Sequence, residues 1–404
     1  MNGDLPVRII DPTNFQVATS ETARDINRRI VLNLIRKHQP ISRADLSRRS
    51  GLQRSTVSAI TEELIALRWV TKGAVGHLPH GRKPTFLHLN GERAGIIGVD
   101  LRPLTTTIAL AGLDDRFLTQ ETFATGRDPR QFVAQLGQRL HDLIKSRSDI
   151  AYEGVGVALP GRVDSLSQRL VFAPNLGWRD LDLKTPLEQA TGLPVELEND
   201  ANACALATLW NDQFAEGVHD LLAVAVTEGI GVGMVLNGQL VRGPTGIAGE
   251  FGHVVMREDG PHCNCGNRGC WEVFASNTAA VRYYSEANSR RPAVASVPPT
   301  FEDVLRLAEQ EDVKAGQALD RMAHFLGDGI AMLVMGLAPS IVVVFGEVTQ
   351  AWDRVGPIIQ ARVEGRSYTP AKVRIVPTNP AAETRLRGTI ALVLQKHFGA
   401  PRIA

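Results

Sequence analysis

The sequence predicts a winged helix-turn-helix head over residues 1–90 and a two-lobed α/β body behind it. Three observations carry this. Residues 1–90 hold 14 Lys and Arg against 7 Asp and Glu, a net of +7, whereas the remainder holds 30 against 36, a net of −6. The head reads as three helices followed by a hairpin. The body twice runs strand, glycine turn, strand before its helices. A chain of 404 residues is also too long for one hydrophobic core.

With 44% apolar and 22% charged residues, the composition is that of soluble globular protein. The opening "MNGDLPVRII" has neither a basic region nor an apolar run, so it is not a signal peptide. The longest apolar run, 329–346, is divided by Pro339 and Ser340 and reads as a buried helix then a buried strand, not a membrane span. The expected location is cytoplasmic, with no membrane partner. In that reducing compartment clustered cysteines point to metal or catalysis before disulfides. A basic head on an acidic body points to a polyanionic partner.

In the head, the first helix is "ETARDINRRIVLNLIRKH", with Ile26, Ile30, Leu34 and Ile35 at helical spacing. The second is "SRADLSRRSG", opened by Ser42 with Asp45 three residues on, as in a capping box, and closed by Gly51. The third is "QRSTVSAITEELIALRW", whose apolar stripe is Val57, Ile60, Leu64 and Leu67. Arg54, Ser55, Thr56 and Ser58 lie off that stripe near its N-terminus. A third helix with a polar first turn enters the major groove N-terminus first, where Ser and Thr bond phosphates or base edges and Arg reaches guanine. The segment 71–90 reads as the wing, and Arg82 and Lys83 in its tip "GRKP" suit a narrow minor groove.

In the body, residues 94–125 read as a three-strand meander, then a helix at about 128–148 and a buried strand at 154–161. Residues 220–241 repeat strand, glycine turn, strand. A helix and strand follow near 316–346 and a last helix at 383–397. "GIGVG", 229–233, has no helix after its glycines, so it reads as a tight β-turn able to present N–H groups to phosphate, not as a dinucleotide site. "VELENDANACALATLW", 195–210, runs strand then helix, with Asn199 and Asp200 at the junction. Asp200 is either the helix cap or a carboxylate that takes a proton from a hydroxyl.

Three of four cysteines fall within "GPHCNCGNRGCWE", 260–272, the fourth being Cys204. Cys263, Cys265 and Cys270 give C-x-C-x4-C, and Cys3His is a common closed tetrahedral zinc set. His253, from "GEFGH" and a separate strand, and His262, beside Cys263, compete for the fourth place.

With "GIAGEFGH" and "ENDANA", the cysteine motif resembles the ROK family of repressors, open reading frames and sugar kinases, over essentially all of 94–397. The helix-turn-helix adds a resemblance to its repressor branch, which includes xylose and N-acetylglucosamine repressors. The resemblance implies an actin-like, hexokinase-type (RNase H-like) fold with a sugar site between lobes. It implies a structural zinc, one per chain, on His253, Cys263, Cys265 and Cys270. It implies sugar contacts from Asn199, Asp200, Glu250, His253 and Glu272, with Asp200 the general base in kinase members. The first lobe would span 91–215, with the C-terminal helix at about 383–404 packed on it, and the second 216–382, with the cysteine motif.

The sequence departs from the kinase pattern. Where kinases carry Asp-x-Gly-Gly-Thr, it has "DLRPLTTT", and Pro103 lacks an N–H donor. Where they carry Gly-Thr-Gly-x-Gly it has "TEGIG", putting Glu228 in the place of Thr, where a poorly solvated carboxylate would repel a polyphosphate by several kcal/mol. The expectation is a non-enzymatic, sugar-responsive transcriptional regulator, a repressor released from its DNA operator by a sugar or sugar phosphate, assembled as a homodimer or homotetramer. The alternative is an ATP-dependent sugar kinase with an appended DNA-binding head.

Overall fold

The computed structural model describes residues 19–75, 85–210, 218–288, 298–365, 373–379 and 383–399. The head contains α1 (Ser20–His38), β1 (Ile41–Ser42), α2 (Arg43–Ser50), α3 (Arg54–Ala66), β2 (Val70–Val75) and β3 (Thr85–Leu89). Ser42 caps α2 by accepting from the Asp45 N–H at 3.2 Å, and Gly51, at φ +72°, turns the chain out of it. The two-residue β1, not foreseen from sequence, joins the wing in the order β1-β3-β2.

Two apolar stripes differ from expectation. The buried face of α1 is Val31, Leu32 and Ile35, while Ile30 is exposed. In α3 Val57, Ile60 and Leu64 are buried and joined by Thr61, while Leu67 is exposed. The causes differ: the head core is continuous with body residues Ala94, Ile96, Ile390 and Leu394, so α1 turns toward two sets of partners at once, whereas α3 ends at Ala66 and Leu67 is its C-cap, off the helix face.

The first body sheet uses β4 (Ala94–Leu101), β5 (Thr105–Gly112), β6 (Phe117–Ala124), β7 (Ala151–Leu159) and β11 (Val195–Asn199), in the order β11-β7-β4-β5-β6. Between them lie α4 (Pro129–Ser146), a small sheet of β8 (Arg162–Val163), β9 (Leu170–Ala173) and β10 (Trp178–Leu181), and α5 (Lys184–Thr191). After α6 (Asp200–Trp210) the second sheet uses β12 (Leu221–Val226), β13 (Ile230–Leu236), β14 (Gln239–Leu240), β15 (Ile341–Phe345) and β16 (Arg374–Pro377), in the order β14-β13-β12-β15-β16. Around it lie α7 (Glu272–Ala275), α8 (Asn277–Asn288), α9 (Phe301–Glu309), α10 (Val313–Leu337) and α11 (Trp352–Glu364), and α12 (Thr384–Phe398) closes the chain.

Each sheet is thus an antiparallel meander extended on its first strand by two parallel strands. The central strands β12 and β15 are apolar throughout and buried on both faces, as parallel pairing between layers demands. α6 and α12 pack against each other, α12 on β4 and β7 and α6 on β12 and β13, so this pair lies between the sheets. The apolar run at 329–346 is the end of α10 and then β15, and among the described residues no helix is long and apolar enough to cross a membrane.

The glycines of 229–233 are only in part a turn. Thr227 and Gly229 close it, whereas Gly231 and Gly233 lie within β13. A Cβ on Gly233 would stand 2.3 Å from the Ala201 carbonyl oxygen. These glycines therefore let α6 approach the sheet closely, which fixes the position of its N-terminus.

Candidate functional site

The N-terminus of α6 opens on a cleft between the two sheets, a cavity of about 410 Å³. Asn199 and Asp200 both line it. The helix cap is Asn199: its Oδ1 accepts from the N–H groups of Ala201 (2.9 Å) and Asn202 (3.3 Å), and its Nδ2 donates to the Gly161 carbonyl at 2.9 Å. Asp200 is therefore not needed as the cap, although its Oδ1 accepts from the Ala201 N–H at 2.9 Å. Its burial pushes its pKa above the usual carboxylate range, against the pull of the Arg385 guanidinium.

Arg385, in the first turn of α12, was missed by the sequence reading. It is buried, donates from Nε to Asp100 Oδ1 at 3.1 Å, and places Nη1 3.7 Å from Asp200 Oδ2. The available signal was a charge on the buried face of the helix, where Gly388 and Thr389 follow three and four residues later. Arg102 occupies the loop where the glycines of a phosphate turn would be. It donates to Asp100 at 2.9 Å and reaches across to Glu347 at 3.5 Å. A second ion pair joins the sheets: Arg242 donates to the buried Glu198 at 2.6 Å. Glu228 is exposed, so water screens the repulsion expected of it.

Glu250 and His253 come from one 3-10 turn, Glu250–His253, and not from a separate strand. Gly249 enters it at φ +101°, and a Cβ there would stand 2.2 Å from the Val232 carbonyl oxygen, so glycine is required for the turn to lie on β13. Burial raises the Glu250 pKa, opposed by His253. His253 Nε2 lies 3.6 Å from Glu250, and Nδ1 lies 3.4 Å from Glu272, the first residue of α7. Glu272 in turn accepts from the Cys263 thiol at 2.8 Å.

His253, Cys263, Cys265 and Cys270 each turn one ligand atom inward, all within 4.8 Å of one another. Cys263 Sγ is 3.6 Å from His253 Nδ1, and Cys265 Sγ is 3.7 Å from Cys270 Sγ. A tetrahedron with metal–sulfur bonds of about 2.3 Å and a metal–nitrogen bond of about 2.0 Å has edges of roughly 3.6–3.8 Å, so the cluster fits a single ion of zinc's size. Burial and the Glu272 hydrogen bond raise the Cys263 thiol, and burial raises Cys270 to about 11. Without a cation such thiols stay protonated. His262 is outside the cluster; it pairs in a bridge with Arg268.

In the head, Arg54 and Ser55 are exposed on the first turn of α3, and Thr56 and Ser58 are half-buried. No side chain caps this helix, so its first N–H groups are open to an acceptor. Arg82 and Lys83 lie outside the described residues.

The sequence pattern of the ROK family matches residues 96–396, from β4 to the end of α12. The chain belongs to the ROK family. A second pattern, winged helix-turn-helix DNA-binding, matches residues 24–71. The xylose repressor of Bacillus subtilis (strain 168) is 28% identical over 389 residues, covering 95% of this chain and 98% of that one. A solved ROK family transcriptional regulator, a homologue of the E. coli MLC protein, superposes with a TM-score of 0.79 at 25% identity, over 93% of this chain and 98% of its own. The ROK glucokinase of Streptomyces griseus, solved with glucose and AMPPNP, matches 74% of this chain and 99% of its own, with a TM-score of 0.66 at 29% identity. The kinase likeness thus leaves the head uncovered, whereas the repressor likeness spans both.

Proposed function

We infer that this ROK protein is a sugar-responsive, DNA-binding transcriptional repressor. The observation that carries the reading is the likeness of the whole chain, head and body together, to the xylose repressor and the MLC-like regulator. The head, residues 1–90, binds a double-stranded operator, with Arg54, Ser55, Thr56 and Ser58 on the major groove and Arg82 and Lys83 on the minor groove. The body, with lobes at 91–215 and 216–382, holds a sugar or sugar phosphate in its cleft. Such a regulator works in the cytoplasm as a homodimer or homotetramer.

Asn199, Asp200, Glu250, His253 and Glu272 are the proposed sugar contacts. Carboxylates accept from sugar hydroxyls, and charge-assisted bonds of this kind are the strong ones. A zinc ion held by His253, Cys263, Cys265 and Cys270 would close the loop between the 3-10 turn and α7. Its role is structural, aiming Glu250 and Glu272 at the ligand. The sugar must favour one angle between the lobes over another, because equal affinity for both shifts nothing.

The glucokinase likeness keeps kinase activity as the second reading. Against it stands Arg102, which fills the turn a phosphate would use and pairs with Asp100 there. The test is operator binding titrated with a sugar panel, beside a coupled assay for ATP-dependent phosphorylation. Release of operator without turnover supports the repressor; turnover of any sugar overturns the non-enzymatic reading.

A further inference from the structure

The small sheet β8-β9-β10 forms one wall of the cleft. Across it, Phe172 pairs with Arg162 on one side and Arg179 on the other. Residues paired across antiparallel strands share a face. The neighbours Ala173 and Trp178 are buried in the first-lobe core, so strand alternation sends Phe172 and Arg179 the other way. All three residues of the row line the cavity. The Arg179 guanidinium lies 3.6 Å from the Phe172 ring centroid. Among the described residues neither the Arg162 nor the Arg179 side chain makes a hydrogen bond or ion pair; Arg162 only faces the charges of Glu250 and Asp164 at longer range.

We propose that the Arg162–Phe172–Arg179 row is an oxyanion subsite, and that the effector is therefore a sugar bearing an acidic substituent, either a phosphate ester or a carboxylate. This rests on the sugar-sensing reading above and names its ligand class. The cleft carries both signs of charge. Asp200, Glu250 and Glu272 also line the cleft, where they accept from hydroxyls and repel an anion. The arginine row offers two planar guanidinium forks, whose geometry matches carboxylate and phosphate oxygens. The Phe172 ring, with the Arg179 guanidinium stacked on it, holds that fork in the cleft. A neutral sugar would leave both guanidinium groups unanswered, and an acidic one engages both sets of groups.

The experiment is calorimetric titration of the full-length protein with matched pairs: glucose and glucose 6-phosphate, N-acetylglucosamine and its 6-phosphate, galactose and galacturonate. It is repeated on Arg162→Gln and Arg179→Gln, both half-buried or exposed positions whose change leaves the core intact. The expected result is that the acidic member of at least one pair binds tenfold or more tightly than its neutral partner. That ratio should fall below threefold in each variant. A phosphate pair that obeys this while the uronate does not identifies the phosphate ester as the source, and the reverse identifies the carboxylate. Neutral partners binding as tightly as acidic ones would overturn the proposal, as would an acid preference that both variants keep. If no sugar of either kind binds, the sugar-sensing reading itself fails. Inorganic phosphate then decides the subsite: millimolar binding weakened tenfold in the variants upholds it, and no binding ends it.

Discussion

The guanidinium of Arg36, in the head, lies 4.4 Å above the ring of Trp210, the last residue of α6, and donates to the Trp210 carbonyl at 2.9 Å. The same helix begins at Asp200 in the cleft. α12 lies beside it with the same ends: Arg385 near Asp200, and Phe398 5.0 Å from the Trp210 ring. Phe398 also stacks on Trp69 of the head at 6.4 Å. Two packed helices thus run from the ligand cleft to the DNA-binding head. Arg36→Ala removes a cation–π contact and a hydrogen bond worth about 1–2 kcal/mol together. Saturating effector should then weaken operator binding by up to tenfold less than in the wild type. Fluorescence anisotropy on labelled operator, with and without effector, reads this; equal effector responses in both proteins would remove Arg36 from the coupling.

The cysteine cluster predicts about one zinc per chain by elemental analysis. Cys265→Ser should lose the metal and lower the melting temperature. His253→Ala should do the same and His262→Ala should not. Metal retained in His253→Ala but lost in His262→Ala would reverse the ligand choice, and wild-type protein purified without chelators yet free of zinc would end it.

For DNA, Arg82→Ala with Lys83→Ala should weaken operator binding and flatten its salt dependence by about two charge units. Arg54→Ala should cost about 1–3 kcal/mol and relax preference at one base pair if it reads guanine. Unchanged affinity and slope in the double variant would take the wing out of the interface.

Asp200→Asn keeps the shape but loses the charged acceptor. Effector affinity should fall on the order of ten- to a hundredfold, from about 1.5–3 kcal/mol of charge-assisted bonding. Operator affinity without sugar should barely change. Identical release curves would leave Asp200 without a ligand role. ATP-dependent sugar phosphorylation in the wild type, abolished by Asp200→Asn, would establish the kinase instead.

His397 lies at the head–body junction, edge-on to Trp69 at 4.3 Å and 3.6 Å from Glu153. Burial, reinforced by Arg28, Lys396 and Arg29 and opposed by Asp25, lowers its pKa to about 4. An unfolded histidine binds its proton below about pH 6.5, while the folded one resists until about pH 4. Between those values the unfolded chain holds more protons, so stability is present above pH 6.5 and lost as pH falls. The loss should be roughly 1–3 kcal/mol once solvent screening is allowed for. Denaturant unfolding at pH 7 and pH 5 should show it in the wild type and a smaller change in His397→Gln. An equal pH dependence in the two proteins would rule this histidine out as the cause.

What the sequence determined by itself is whatever local chemistry encodes. Ser42 and Gly51 mark the ends of α2 because capping and left-handed turns are matters of a few neighbouring residues. Cys263, Cys265 and Cys270 point to a metal because their spacing closes on itself. The two hairpin-then-helix runs became two sheets of one topology, each periodic pattern being long enough to read. Tertiary structure decided the rest. It set His253, and not His262, beside the three cysteines by folding the 3-10 turn onto β13. It gave the α6 cap to Asn199, because Gly161, in the turn between β7 and β8, comes close enough to hold that side chain. It turned α1 so that Ile30 faces solvent, because the helix packs on α12 as well as on its own domain. It also buried Arg385 between Asp100 and Asp200 and aligned Arg162 with Arg179 across Phe172. Those juxtapositions join residues up to 285 positions apart, and only the packed sheets bring them within reach.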